Sequence, residues 1–388
     1  MSGRRGAVIA GGGTGGHIVP SLQIARALVA RGHAADSIEL FGSRRGQEAV
    51  TWPNLEFPFT LLPGRGIRRS LRPAAMWTNA GAVIGLLRAC VRAVGSFARH
   101  RPRVVVVVGG YAGFPAGLAA VLTRAPLVLM NTDAVPGAVN ALLGRFATAS
   151  AVAFAGTKLP RAQVTGTPVR QELDSLDRSP AGRARARAQL DLPVDGRTVA
   201  AFGGSLGALR INRAVADVVG HWPLGGGHTV YHVTGRRDFE AFAPPRGRAG
   251  VEVSERGAGS GGAGDGVDYR VVPFEDRMPE LYGAADLCVA RAGAMTVAEL
   301  LVSGVPSILV PLPGAPRDHQ TRNAAALVEA GAAVVIPDAE CDGPRLAAVL
   351  ATLLDDPVRL RDMGAAARGL GHPDAAARVA ELVDAHAR

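Results

Sequence analysis

The sequence predicts an α/β protein built from two domains, each with a doubly wound parallel sheet. An apolar segment, a glycine-rich turn and a helical pattern follow one another over residues 8–30, and the same succession restarts over residues 198–219. The length of 388 residues is too long for one typical domain and suits two. Alternating strands and helices of this kind form parallel sheets that are covered by helices on both faces.

The strands of the first half are short apolar segments. They are predicted at residues 8–10, 38–41, 104–108 and 127–130, and the first helix at residues 21–30. The segment 104–108 is all valine, as expected of a strand buried on both faces. The apolar run continues to residue 122, but glycines and Pro115 interrupt it. We therefore interpret it as a strand, a turn and the start of a helix rather than as a membrane span.

The second half repeats the pattern after the segment "VTGTPVR" at residues 164–170. We expect a first domain over residues 1–165 and a second over 166–372, with a last helix within 373–388 that packs back on the first domain. The glycine-rich stretch 255–266 is predicted to be a surface loop. The strands of the second half are predicted at residues 198–202, 229–233, 269–272, 287–290, 307–310 and 333–336, and its first helices at 181–190 and 209–219.

The charge and the cysteine content of the sequence limit which kinds of partner and which compartment are expected. The formal net charge is +10, and Lys158 is the only lysine among the basic residues. Such a balance favours anionic partners, which include phosphates, acidic lipids and nucleic acids. The arginines are not interleaved with the aromatic residues that single-strand binding would use, so we expect no nucleic acid. Three cysteines without metal-site spacing, and a start without a signal peptide, predict a reducing cytoplasm.

The first glycine loop, "GGGTGGH" at residues 11–17, matches the dinucleotide pattern GxGxxG. The second strand ends in "FGSRR" without the carboxylate that would hold a ribose, which disfavours NAD. Arg44 and Arg45 could accept the extra phosphate of NADP, so a reductase remains an alternative. A P-loop is excluded because no GK[ST] is present.

His17 stands where this loop passes into the helix. It could be a residue that only bonds the backbone at a helix start. Alternatively, the loop exposes it to a ligand, and the positive end of the helix lowers the pKa of its imidazole. A neutral imidazole can accept a proton, so we regard His17 as the candidate general base.

The second half carries the signs of a nucleotide site. In "GGSLGA" at residues 203–208, glycines let backbone N–H groups approach a phosphate, and Ser205 adds a hydroxyl in front of a helix. In "RAGAMTVAE" at residues 291–299, small residues again precede a helix. Thr296 falls in its first turn, and Glu299 could hold both hydroxyls of a ribose. Gln320 and Asn323 begin a later helix and suit sugar hydroxyls.

Several ordered motifs make the chain similar to the MurG family of bacterial N-acetylglucosaminyltransferases, glycosyltransferase family 28. The resemblance covers almost the whole length. It implies a GT-B fold, in which two Rossmann-like domains face each other across a cleft. It also implies inverting transfer of GlcNAc from UDP-GlcNAc to the C4 hydroxyl of the muramoyl sugar of lipid I, giving lipid II for the cell wall. The motifs are "GGGTGGH", "GGYAGFPAGLAA", "VTGTPVR", "GGSLGA", "RAGAMTVAE" and "DHQTRNA".

The resemblance also implies the residues of the site, with His17 as the catalytic base. Ser205 would meet the pyrophosphate, Glu299 the ribose and Gln320 the GlcNAc hydroxyls. The residues implied to bind the donor are Thr14, Gly15, Gly16, Arg170, Ser205, Phe274, Glu275, Ala294, Met295, Thr296, Val297, Ala298, Glu299 and Gln320. Of these, Thr14, Gly15 and Gly16 stand with His17 on the wall near the acceptor, and Phe274 and Glu275 hold the uracil largely through backbone. The residues implied on the acceptor side are Gly109, Gly110, Tyr111, Asp133 and Asn140.

The sequence departs from the family pattern at two places. The family usually shows "HEQN" after the fourth predicted strand, where this chain has "MNTD" at residues 130–133. Leu206 replaces the usual glutamine of "GGSQGA". The first change falls on the acceptor side. It leaves open a paralogue that transfers a sugar from a UDP-sugar to another lipid phosphate or a natural-product acceptor.

No cofactor and no essential metal are expected, because helix ends can stabilise the departing UDP. A lipid acceptor requires contact with the membrane. The segment 63–87 combines Arg68, Arg69 and Arg72 with apolar residues such as Ile84 and Leu87. It is either a surface for anionic lipid or a core helix preceded by a solvated basic loop. The resulting expectation is a peripheral enzyme on the cytoplasmic face of the bacterial cell membrane.

Overall fold

The computed structural model describes residues 6–13, 15–46, 48–64, 73–204, 207–221, 227–242 and 267–388. The chain divides into two compact units. The first unit comprises Met1–Arg170 and Pro373–Arg388, and the second comprises Gln171–His372. The sequence predicts Arg170 in the second domain. In the structure, the division falls after Arg170, so this residue is the last of the first stretch of the first unit.

The first unit contains a parallel sheet in the order β3-β2-β1-β4-β5-β6-β7. The neighbouring strands β1 and β4 are far apart in sequence. This marks the point where the strand order reverses in a doubly wound sheet. The strands are β1 (Ala7–Gly11), β2 (Ile38–Ser43), β3 (Phe59–Leu62), β4 (Val104–Gly109), β5 (Leu127–Asn131), β6 (Ala149–Val152) and β7 (Ala162–Val164). The helices are α1 (Gly15–Ala30), α2 (Glu48–Thr51), α3 (Pro73–His100), α4 (Gly110–Thr123), α5 (Ala138–Leu143) and α14 (Ala375–His386).

Alternating side chains of the central strands supply a core on each face of this sheet. In β4, Val104, Val106 and Val108 pack in the cluster with α1 and α14. The intervening Val105 and Val107 pack on the opposite face with α3 and α4. The run of valines therefore serves two cores at once, because successive side chains of a strand point to opposite faces.

Helix α14 belongs to the first unit through its packing on α1 and through ion pairs. Asp384 accepts from Arg31 Nε at 2.6 Å and lies 2.7 Å from His33 Nε2. These two basic residues hold the pKa of Asp384 below its ordinary value, although burial opposes them. Val379 and Val383 lie fully buried in the core cluster beneath β5 and β6. The last helix is thus part of the core of this unit.

The second unit contains a parallel sheet in the order β10-β9-β8-β11-β12-β13. Cys288 in this sheet and Cys341 beyond it are buried free thiols. The strands are β8 (Arg197–Phe202), β9 (His228–Val233), β10 (Asp268–Val272), β11 (Leu287–Ala290), β12 (Ser307–Leu309) and β13 (Ala333–Val335). The helices are α6 (Pro180–Gln189), α7 (Leu209–Gly220), α8 (Phe239–Phe242), α9 (Met278–Ala284), α10 (Ala294–Ser303), α11 (His319–Glu329), α12 (Gly343–Leu354) and α13 (Pro357–Leu370).

Helix α1 begins at Gly15, earlier than the predicted start at residue 21. Glycines and a proline are typical of a loop, yet Pro20 lies inside the helix as its sixth residue, where proline is ordinarily disfavoured because it lacks an N–H. His17 consequently lies in the first turn of the helix. The strands β3, β6 and β7 were not predicted from the sequence because they are short and carry no alternating pattern.

Helix α3 is apolar and long. Within the described residues, Gly81–His100 is the one helical segment long and apolar enough to cross a membrane, which by itself is weak evidence for a span. Ala89, Ala93 and Phe97 of this helix are buried in the core with α4. Its other face exposes Val83, Ile84, Leu87 and Val91, so α3 is half core helix and half apolar surface.

Candidate active site

The imidazole of His17 lies against the two glycines at the end of β4. A Cβ atom at Gly109 would stand 2.9 Å from His17 Nε2, and one at Gly110 would stand 3.2 Å from His17 Nδ1. Both glycines have positive φ, 132° and 70°, which other residues rarely adopt. Glycine is therefore needed twice here, for backbone conformation and for the space that the histidine ring fills.

The environment of His17 lowers the pKa of its imidazole. Burial of the ring is the main cause, because it disfavours the charged form. The charges of Asp133 and Glu48 and a hydrogen bond to the carbonyl of Gly12 act in the opposite direction. The predicted direction is thus confirmed, with burial rather than the helix end as the leading cause. A lowered pKa favours the neutral form of the ring, which can accept a proton.

Two asparagines brace the loop that follows β5. Asn131 donates to the carbonyl of Asp133 at 2.6 Å and accepts from Gly137 N at 3.1 Å. Asn140 is buried and donates to the carbonyl of Met130 at 2.8 Å. Its side chain therefore supports the loop from inside, and its place on the acceptor side stays a prediction. Met130, the first residue of the departure from the family pattern, is fully buried, so this one replacement lies in the core.

Tyr111, in the first turn of α4, has its hydroxyl engaged with the protein. It donates to the carbonyl of Pro63 at 2.7 Å. This bond ties Pro63, just after β3, to the first turn of α4. Burial raises the pKa of the Tyr111 hydroxyl.

In the second unit, the loop "GGSLGA" is supported by a buried polar network. Asn212 Nδ2 donates to the carbonyl of Thr234 at 2.9 Å and to Asp238 Oδ2 at 3.2 Å, and Asn212 Oδ1 accepts from His232 Nε2 at 3.0 Å. Gly207 packs on the same strand end, since a Cβ there would stand 2.5 Å from the carbonyl of Thr234. Ser205 and Thr14, both predicted to bind the donor, lie outside the described residues.

Glu299 is held by a buried tyrosine. Tyr282 is fully buried and donates its hydroxyl to Glu299 Oε2 at 2.9 Å. Glu299 itself is half-buried, in the second turn of α10. Sequence reasoning missed Tyr282, because its position in α9 shows no motif. The carboxylate predicted to hold the ribose is therefore fixed in orientation by a neighbouring helix.

The first residues of α10 fall into two groups, one partly accessible to solvent and one buried. Ala294, Met295 and Thr296 are half-buried in the first turn, which follows Gly293. Val297 is fully buried and its N–H donates to the carbonyl of Gly293, and Ala298 is buried too. Both side chains lie on the inward face of the helix, and their contact with the donor stays a prediction.

Gln320 and Asn323 are buried at the start of α11. Gln320 Oε1 accepts from Leu312 N at 3.0 Å, and Asn323 Nδ2 donates to the carbonyl of Ala292 at 3.1 Å. Both side chains thus hold the loops after β11 and β12. Gln320 Nε2 is the group of this side chain that can donate to a sugar hydroxyl.

Phe274 and Glu275, predicted at the uracil, differ in exposure. Phe274 is 43% exposed, and the guanidinium of Arg236 lies 5.0 Å from its ring centroid. The carboxylate of Glu275 is buried, accepting from Tyr231 and, at 2.8 Å, from Arg277 N. Contact with a base would therefore involve the Phe274 ring or the backbone, and not the Glu275 carboxylate.

Arg170 is half-buried at the end of the first stretch of the first unit, and Gly15 and Gly16 are half-buried in the first turn of α1. Among the described residues, no group of three or more His, Cys, Asp or Glu side chains could hold a metal ion.

Comparison with known proteins assigns the family. The model of the glycosyltransferase family 28 N-terminal domain matches residues 7–152, and that of the glycosyltransferase family 28 C-terminal domain matches residues 198–379. The chain belongs to glycosyltransferase family 28. The predicted resemblance is confirmed, and the alternative of an NADP-dependent reductase is wrong.

Relatives in family 28 match over their full length. A protein of Alkalilimnicola ehrlichii is 41% identical, with 98% of this chain and 99% of the relative covered. One of Acidothermus cellulolyticus is 40% identical, with 97% and 96% covered. Both are named UDP-N-acetylglucosamine–N-acetylmuramyl-(pentapeptide) pyrophosphoryl-undecaprenol N-acetylglucosamine transferase. The crystal structure of Acinetobacter baumannii MurG superposes with a TM-score of 0.74 at 27% identity, covering 98% of this chain and 99% of that chain. The predicted GT-B fold is confirmed.

Proposed function

We propose that this family 28 glycosyltransferase transfers GlcNAc from UDP-GlcNAc to the C4 hydroxyl of the MurNAc sugar of lipid I, giving lipid II for peptidoglycan synthesis. The observation that carries the proposal is the match, over nearly the full length, to relatives named for this reaction. The chain is accordingly a hexosyltransferase. UDP-GlcNAc is its donor substrate, and no cofactor enters the reaction.

The donor binds the second unit in this proposal. Glu299, oriented by Tyr282, takes the ribose hydroxyls. The pyrophosphate meets Ser205 and the N-termini of α7 and α10, where the partial positive charge of a helix end favours an anion. Phe274 supplies an exposed ring beside the uracil. Ala294, Met295 and Thr296 line the phosphate and sugar, and Gln320 and Arg170 complete the donor contacts.

The acceptor binds the first unit, with Gly109, Gly110, Tyr111 and the Asp133 loop on its side. The O4 oxygen of the acceptor sugar attacks C1 of GlcNAc, the bond from C1 to the UDP oxygen breaks, and the configuration at C1 is inverted. His17 takes the proton from O4. Its lowered pKa, which favours the neutral ring, and the nearby Asp133 carboxylate, which stabilises the imidazolium that forms, support this role.

This function is tested with purified lipid I and radiolabelled UDP-GlcNAc. We expect formation of a labelled lipid product, and growth of a strain depleted of its own transferase. UDP-GalNAc, which differs at C4, is the donor control and should react more slowly. Donor binding without transfer to lipid I and without rescue would contradict the proposal and favour a paralogue with another acceptor.

The lipid acceptor requires a membrane surface, which we place on α3. Ile84, Leu87 and Val91 are exposed by 52%, 61% and 74%, and Arg88 and Arg92 are exposed beside them. An apolar stripe flanked by arginines suits the interface of an anionic membrane. The basic residues Arg68, Arg69 and Arg72 of the same predicted surface lie outside the described residues. Residence on the cytoplasmic face, without a span, follows from this proposal.

We expect the protein to float with vesicles that contain phosphatidylglycerol at low salt, and less with zwitterionic vesicles. Replacing Ile84, Leu87 and Val91 with Ser removes apolar contact, and replacing Arg68, Arg69 and Arg72 with Ser removes charge, so each triple variant should be released. High salt should release the wild type too. Val358→Ser, at an exposed apolar residue of the second unit, is the matched control. Wild-type protein that stays unbound at low salt would contradict this surface.

A further inference from the structure

A buried carboxylate lies behind the first glycine loop, and the reaction described above does not use it. Glu48 begins the short helix α2, and its side chain is fully buried. Moving a carboxylate out of water costs several kcal/mol unless hydrogen bonds replace the lost hydration. Its burial therefore requires partners in the surrounding chain.

The partners are backbone N–H groups of two loops. Gly13 N donates to both oxygens of Glu48, at 3.0 Å each, and Ser43 N donates to Oε1 at 2.7 Å. Gly13 belongs to the loop after β1, and Ser43 ends β2. The carboxylate thus joins the ends of two neighbouring strands by bonds that are stronger than neutral ones.

Three glycines make room for this carboxylate. A Cβ at Gly12 would stand 2.1 Å from Glu48 Oε1, one at Gly46 would stand 2.0 Å from Oε2, and one at Gly42 would stand 2.6 Å from Cγ. Any side chain at these positions would displace Glu48. The glycine at position 12 is therefore explained by the close approach of Glu48 to the backbone.

The same loop holds the proposed base. The carbonyl of Gly12 accepts a hydrogen bond from the His17 ring. That carbonyl oxygen is also confined on another side, since a Cβ at Gly110 would stand 2.1 Å from it. A shift of the Gly12–Gly13 backbone would therefore move the acceptor of the imidazole hydrogen bond.

We propose that Glu48 is a positioning residue for the transfer reaction, which fixes the backbone of Gly12 and Gly13 and, through it, the His17 imidazole. The inference rests on the proposed role of His17 as the base. The groups that act on the imidazole are the Glu48 carboxylate from α2, the Asp133 carboxylate from the loop after β5 and the Gly12 carbonyl. Both carboxylates favour the protonated ring, so Glu48 affects the protonation of the His17 imidazole as well as its position.

The test compares Glu48→Gln with Glu48→Asp. Glutamine keeps the size and removes the charge. We expect turnover to fall by about 10- to 100-fold, the loss typical of a catalytic group misplaced by about 1 Å, with KM for UDP-GlcNAc near that of the wild type. The acid limb of the turnover profile should also move to lower pH, because one negative charge that favours the imidazolium is gone. Glu48→Asp keeps the charge and should leave that limb in place.

A second measurement does not depend on activity. In protein with ¹³C-labelled histidine, the His17 signal is assigned by its loss in His17→Ala, and its titration is followed by NMR. Glu48→Gln should move this titration to lower pH. Lower turnover without any movement of the acid limb or of the titration would reduce Glu48 to a general structural role and overturn the proposal. Unchanged turnover would overturn it as well.

Two further comparisons complete the design. If Glu48→Gln does not fold, Gly12→Ala replaces it, because the added Cβ forces the carboxylate away, and the same loss and shift are expected. If His17→Ala keeps its turnover, the proposed base is wrong whatever Glu48 does, and the NMR titration still decides whether Glu48 acts on the imidazole. Failure of the proposed function and failure of this inference are thus distinguishable.

Discussion

Replacing His17 with Ala should lower turnover by about 10²–10⁴-fold, which is the usual contribution of general base catalysis. The affinity for UDP-GlcNAc should stay near that of the wild type, because the proposed donor contacts lie mostly in the second unit. The measurements are single-turnover transfer to lipid I and calorimetry with UDP-GlcNAc. The melting temperature of the same preparation shows whether the lower turnover comes from loss of the catalytic base or from destabilisation of the start of α1.

The pH profile gives an independent check. A base must be deprotonated to act, and burial lowers the pKa of His17 below its ordinary value. Turnover should therefore be level near pH 7 and should fall only at a pH below the ordinary titration of histidine. His17→Ala should lose this acid limb.

The matched control is His319→Ala, at a half-buried histidine at the start of α11 whose Nδ1 lies 2.8 Å from the carbonyl of Pro316. It should leave turnover within about twofold, the effect expected of a surface substitution of up to about 0.5 kcal/mol. The opposite pattern, with activity lost in His319→Ala and kept in His17→Ala, would contradict the assignment of the base. A variant of His17 that melts early and turns over normally per folded molecule would show a structural cap.

Replacing Glu299 with Ala should weaken UDP binding by about 1–3 kcal/mol, the cost of removing hydrogen bonds to a charged group. Calorimetry with UDP measures the loss directly. Tyr282→Phe removes the hydroxyl that orients Glu299 and keeps the buried ring, so its loss should be smaller, about 0.5–1.5 kcal/mol.

Glu329→Ala removes an exposed carboxylate from the same unit and serves as the control. It should bind UDP as the wild type does. Unchanged UDP affinity in Glu299→Ala would remove Glu299 from the donor site. A loss in Tyr282→Phe that equals or exceeds the loss in Glu299→Ala would show that the tyrosine acts on more than the carboxylate.

The sequence predicts the parts of the fold that depend on local pattern. The valines of β4 identify a strand buried on both faces, and the glycine turns after β1 and β8 identify the two sheet edges where ligands bind in such folds. The start of α1 was placed too late because Gly15 and Gly16 obscure the helical pattern. The exposure of α3 on one face could not be predicted, since its apolar residues cover both faces.

Motifs supply the predicted site residues, whereas residues that act through tertiary packing are not visible in the sequence. His17 and Glu299 stand in motifs, and the resemblance assigned them roles. Glu48 and Tyr282 stand in none, because their partners are distant in sequence: Glu48 bonds to Gly13, and Tyr282 to Glu299. For Glu48, glycines at positions 42 and 46 around a lone acid in a basic loop were the only signal. The burial of Asn140 and Val297 likewise depends on neighbours that spacing does not reveal.

The first unit is formed by two separate stretches of the chain, and this affects how it folds during synthesis on the ribosome. Residues 171–372 form a continuous unit, whereas the first unit needs α14, which is translated after them. The sheet of the first unit is translated before residue 171, yet the hydrophobic surface that Val379 and Val383 cover stays open until α14 has been made. The first unit therefore begins to be translated before the second unit but is completed after it. While the second unit is made, the exposed surface of the first unit must be kept from aggregating.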